Sequence, residues 1–158
     1  MDTYRNHESL RVAADAAVDM VLPMMQAGLA RKELGESGVL YVVLMDPTVR
    51  PGTVPFEDAI LLERAVGRPR EQWDADYGAY ARAKARLSWE TGLDGHTACV
   101  VRPHCARPDA RQVWGGICWE GIVAAVSGAF PWYDEAYAGA LACAFKACVK
   151  AQAQAAGS

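Results

Sequence analysis

Apolar residues recur at three- and four-residue spacing from Ser9 to Leu34, where Leu10, Ala14, Ala17, Val21, Met24 and Gly28 predict one face of a helix. Pro23 falls inside it and predicts a kink, because its ring removes a backbone donor and crowds the preceding turn. The pattern then becomes continuously apolar and β-branched over Val39–Met45, which predicts a buried strand stopped by Asp46-Pro47. A second strand is expected over Ala59–Arg64, after a turn-rich loop at Pro51–Pro55. Between Asp74 and Glu90 the alanines alternate with period two, but alanine favours helices over strands. The segment therefore predicts a helix with Tyr77, Tyr80, Ala81, Lys84 and Ser88 on one face, ended by Gly92.

Leu93–Arg111 is the least regular stretch, holding two prolines, two histidines and two cysteines, with only Thr97–Val101 strand-like; it is the candidate functional loop. Val113–Trp119 and Ile122–Ser127 predict a hairpin turning at Glu120-Gly121. Tyr137, Leu141, Phe145 and Cys148 predict a last helix that runs to about Gln152, with Pro131 in its first turn. The order α-β-β-α-(β)-β-β-α predicts an α+β domain spanning residues 1–158, with an antiparallel sheet of four to five strands and packed helices.

A chain of 158 residues buries roughly 68–70% of its extended-chain surface and folds around one core. No apolar run approaches the roughly 20 residues of a membrane helix, so no membrane partner is expected. The net charge of −3 comes without a basic stripe to neutralise phosphates, so nucleic acid is not an expected partner either. Met1–Ser9 lacks the basic and apolar segments of a secretion signal, and a cytoplasmic address is expected. The five cysteines include no Cys-x-x-Cys pair, which argues for reduced, buried small hydrophobes rather than disulfides or a thiolate zinc site. The excess of arginine over lysine and the many alanines fit a GC-rich bacterial genome.

Asp134 and Glu135 open the last helix, where carboxylates interact with the exposed N–H groups by about 0.3–1 kcal/mol each. Neighbours on a helix point about 100° apart, so a two-carboxylate acid–base site is not expected there. Lys84 lies on a face of small and aromatic residues and is expected to be partly buried with a carboxylate partner. Gly115-Gly116 predicts a bulge or a close backbone approach.

Three stretches in this order, "YARAKARLSWETG" (Tyr80–Gly92), "GGICWEGIVAAVSGA" (Gly115–Ala129) and "DEAYAGALA" (Asp134–Ala142), resemble the GlcG/HbpS family of small haem-binding domains, also found at the C-terminal end of PduO proteins. Val39–Asp46 and Ile60–Gly67 look like the family's first two strands. The resemblance implies an α+β domain that assembles into homo-oligomers and, in several members, binds haem or a related tetrapyrrole. This chain departs from the pattern at Ala30–Ser37 and at "HTACVVRPHCARP" (His96–Pro108).

His96 and His104 are candidate axial ligands to haem iron, against the alternative of solvent-facing loop residues. Cys105 beside His104 is a weaker candidate thiolate, and His7 is a helix-start surface residue or a helix-borne ligand. Trp89, Trp114, Trp119, Trp132 and Tyr133 offer stacking surfaces for a flat ligand, or core and interface packing. Trp132 and Tyr133 stand out because a strand-to-helix turn places amides beside them. Arg102, and after it Arg107 and Arg111, are candidate partners for the ligand's carboxylates.

The first functional expectation is a homo-oligomeric domain that binds haem or a similar flat anionic small molecule. The second is a cofactor-independent isomerase, cyclase or hydrolase acting on an aromatic or polyketide-like acid. There His104 or His96 is the base, and Tyr133, Tyr80 or an amide steadies the oxyanion. A ligand-free oligomerising scaffold is the third.

Overall fold

Successive side chains of the first strand turn to opposite faces and are buried on both, and this sorts the molecule into layers. In a computed structural model, which describes residues 7–110 and 113–158, the chain forms α1 (His7–Leu29), β1 (Val39–Met45), β2 (Ile60–Gly67), α2 (Tyr77–Thr91), β3 (Gly116–Trp119), β4 (Ile122–Ser127) and α3 (Pro131–Ala156). The four strands make one antiparallel sheet in the order β2-β1-β4-β3. Leu40, Val42 and Leu44 of β1, with Ile122, Ala124 and Val126 of β4, point to the layer of α1 and α3. Val43 and Met45, with Val123 and Ala125, point to α2. Both faces of the two central strands are covered, which is why they read as unbroken apolar runs.

The α+β class and the element order agree with the pattern in the sequence; the differences lie in boundaries and in one element. Thr97–Val101 is a π-helical turn closed by the Arg102 N–H donating to the Thr97 carbonyl at 2.7 Å. Its β-branched residues suggested a strand, but it makes no strand pairing. Ala98 instead packs with Leu87 and Ala106 in a small cluster that ties the loop to α2.

β2 runs past Arg64 to Gly67 because Ala65, Val66 and Gly67 pair with Tyr41, Leu40 and Val39. β3 begins only at Gly116. The β3–β4 turn places Glu120 at φ 50 and Gly121 at φ 81, the two positive values of a type I′ hairpin turn.

α1 ends at Leu29, a single 3-10 turn covers Lys32–Leu34, and the helix runs through Pro23. Met24 is not on the buried face; Met25 and Val18 are. α1 has 23 residues and contains an 18-residue stretch of mean hydropathy 1.2, so by length and composition it is long and apolar enough to cross a bilayer, contrary to the expectation from composition. In the fold its apolar stripe is part of the main core beside α3, and Asp15 and Asp19 on the helix pair with Arg64 of β2. The five cysteines are free and none is fully buried, because each sits at the margin of a cluster or on the surface.

Candidate functional site

α2 is capped at both ends. The Asp76 carboxylate accepts from the Ala79 N–H at 3.0 Å, and Gly92 closes the helix at φ 69. The helix buries Gly78, Ala81, Lys84, Ala85, Leu87 and Ser88, and it turns Arg82 and Arg86, four residues apart, outward along one row. Tyr80, expected on the buried face, is on the surface. Beside that row lie the 3-10 turn Phe56–Ala59 and the segment from Arg107 to Ala110, which Ala106 anchors against Leu87.

Between these pieces is an open cleft of about 290 Å³. Phe56, Ala83, Leu87, Ala110 and Val113 supply apolar walls, and Arg82, Arg86 and Arg107 supply cations, with Glu57 and Asp109 on the lining. The Arg86 guanidinium lies 5.9 Å from the centre of the Phe56 ring. Phe56 packs edge-on to Trp89, whose indole N–H donates to the Val49 carbonyl.

Carboxylates hold the three guanidiniums in place. Arg82 donates to both oxygens of Glu63, from Nε at 2.6 Å and from Nη2 at 3.0 Å. Glu63 also accepts from the Tyr41 hydroxyl at 3.2 Å. Arg86 donates to Glu90 at 2.6 Å, and Arg107 reaches the other Glu90 oxygen at 3.1 Å and Asp109 at 3.2 Å. These bonds, Glu63 foremost for Arg82 and Glu90 for Arg86, raise both guanidinium pKa values further above their ordinary range. Each guanidinium has five N–H donors, so all three keep donors for an incoming anion.

The strand-to-helix corner after β4 is built differently from its reading as an anion site. Asp134 is fully buried; one carboxylate oxygen accepts from the Ala129 amide at 2.9 Å and the other from Lys84 Nζ at 2.7 Å. The protein's own carboxylate therefore occupies the corner. The expectation of a buried Lys84 with a carboxylate partner agrees with this geometry, and Lys84 also approaches the Val126 carbonyl at 3.3 Å and Ser127 Oγ at 3.4 Å. Gly115-Gly116 is the close approach: a Cβ on Gly116 would stand 2.9 Å from the Lys84 carbonyl oxygen and from Ser88 Oγ. Glu135 points away from Asp134, as the helix geometry requires, and accepts from the His96 backbone N–H at 2.8 Å.

The remaining predicted residues do not converge. His96 is exposed and packs edge-on to Trp114, with ring centres 4.9 Å apart. His104 and Arg102 are exposed on the loop, and Cys105 beside them is also exposed. Trp132 stacks on Phe130 at the surface, and Tyr133 packs against the main core. Trp89 lies behind Phe56 rather than on the cleft wall. His7 shares a hydrogen bond with Asp46 at 3.0 Å. Arg111 lies outside the described residues, whereas Arg107 lines the cleft.

None of the three principal cavities is lined by a histidine, cysteine or methionine. Among the described residues no three His, Cys, Asp or Glu side chains cluster as a metal site. His96 and His104, the expected axial ligands, therefore stand outside these cavities. The residues that do gather, Arg82, Arg86 and Phe56, went unnoticed in the sequence, although Arg-x-x-x-Arg in "ARAKAR" is a legible signal for two cations on one helix row. Compared with protein-family models, curated proteins and solved structures, the chain matches none.

Proposed function

We propose that the chain is a small-molecule-binding domain whose cleft beside α2 takes a flat, anionic ligand. The observation that carries this reading is the placing of three guanidiniums around an apolar floor that includes an aromatic ring. The apolar walls receive a planar body, and the arginines pair with its carboxylate or sulfonate groups, bidentately where geometry allows. At about 290 Å³ the cleft suits a ligand of two fused rings better than a whole tetrapyrrole. The order of motifs shared with GlcG/HbpS proteins supports kinship with that family; the ligand proposed here requires no iron ligand. Self-association belongs to the same reading, supported by Phe130 and Trp132, which stack with centres 5.1 Å apart and remain 44% and 55% exposed.

The test is calorimetric titration of the full chain with 2-naphthoate, a flat monoanion, in parallel with haemin difference spectra. Saturable naphthoate binding that weakens about tenfold in Arg86→Ala and is unchanged in the His96→Ala/His104→Ala double variant is expected. A haemin Soret shift abolished by that double variant, with no naphthoate binding, would overturn the proposal.

A further inference from the structure

Away from α2, the connection between α1 and β1 borders a second hollow, of about 340 Å³. Lys32 and Arg68 lie on its wall, and among the described residues neither makes an ion pair; Glu36 stands on the same rim. Arg68 reaches the hollow across Gly38, where a Cβ would be 2.5 Å from its Nε, so the missing side chain is what admits the guanidinium. Leu29, Gly35 and Gly38 line this hollow and also a narrow slot that continues inward to Gly28, Gly128 and Tyr137.

Tyr137 ends the slot. It is 4% exposed, and its hydroxyl has no hydrogen-bond partner among the described residues. That hydroxyl fills the space a Gly28 side chain would take, so the glycine in α1 exists to let the phenol through. The hydroxyl is not sealed off, since Ser88 Oγ is the one fully buried side-chain oxygen or nitrogen without a partner among the described residues; it opens on a slot with about 10 Å³ of free volume, close to what a single oxygen-sized group needs.

We propose that hollow and slot together are a binding site for a small organic oxyanion. Its phosphate or carboxylate pairs with Arg68 and Lys32, and a slender hydroxyl or carbonyl oxygen enters the slot to hydrogen-bond Tyr137. The site is independent of the arginine cleft, from which it differs in every lining residue.

The test is an amide-resolved NMR titration of the full chain with glycerol 3-phosphate, malate and inorganic phosphate, with glycerol as the uncharged control. Saturable shifts at Gly28, Gly35, Gly38 and Gly128 are expected with glycerol 3-phosphate or malate and not with glycerol. Arg68→Ala should weaken binding about tenfold. Tyr137→Phe, which keeps the ring, should weaken the hydroxyl-bearing anions while leaving any inorganic phosphate binding unchanged. Absence of saturation at these glycines by every anion up to about 10 mM, or affinities indifferent to both substitutions, would overturn the proposal. Shifts confined to Phe56, Arg86 and Arg107 would overturn it too, while supporting the arginine cleft.

Discussion

Lys84 of α2 and Asp134 of α3 meet at 2.7 Å around the end of β4, an ion pair that joins the two helical layers on opposite faces of the sheet. Both side chains are buried, so the attraction is opposed by a large desolvation cost, and the pair is sensitive to loss of either partner.

Removing the cation while keeping an apolar stem, Lys84→Met, is therefore expected to cost about 3–5 kcal/mol at pH 7. Burial raises the Asp134 pKa to about 6, against the opposing pull of Lys84 and the Ala129 amide. An aspartate in the unfolded chain titrates near 3.9, so the folded state binds the extra proton between about pH 4 and 6. The stability from this group is complete below about pH 4 and is lost as pH rises through 6. The Lys84→Met penalty should consequently shrink at pH 4.5, where Asp134 is largely protonated. Urea unfolding at the two pH values measures this, and an equal penalty at both would contradict it.

Gly116 and Ser88 predict opposite outcomes for two alanines at one contact. Gly116→Ala pushes a methyl against the Lys84 carbonyl and is expected to cost at least about 2 kcal/mol. Ser88→Ala removes a buried hydroxyl that has no hydrogen-bond partner among the described residues, and is expected to be neutral or stabilising by up to about 1 kcal/mol. Thermal unfolding of the two variants side by side checks the contrast; a strongly destabilised Ser88→Ala would show that the hydroxyl is partnered.

Glu90 restrains two of the three cleft arginines, so Glu90→Gln should release Arg86 and Arg107 toward an added anion. Naphthoate affinity is expected to rise several-fold at low ionic strength, with the gain shrinking as salt screens it. The stability change should stay below about 1 kcal/mol, because both ion pairs are partly solvated. Calorimetric titration at two salt concentrations reads the first effect, and a weaker binding variant would mean that Glu90 itself contacts the ligand.

Light scattering after size exclusion tests self-association. On the proposed self-association, Phe130→Ser/Trp132→Ser is expected to reduce the apparent mass in solution, with little loss of Tm because both rings already lie at the surface. An unchanged mass would place any interface elsewhere.

Local spacing and residue propensity determined the helices, the four strands, the hairpin turn and the burial of β1, with alanine's helix preference overriding the period-two pattern of α2. Each depends on local spacing or on burial on both faces, and both are written into consecutive residues. Only tertiary structure decided the fate of Thr97–Val101, whose β-branched residues are compatible with a strand until Ala98 finds Leu87 and Ala106. It also decided the candidate sites. The conspicuous histidines and tryptophans were scattered over the surface and the core margins, whereas Arg82, Arg86, Arg107 and Phe56 were gathered from three segments, and Tyr137 was aimed through the gap left by Gly28. The type of a side chain is a local property, but its convergence with others depends on how helices pack across a sheet, and that is set by contacts between residues far apart in the chain.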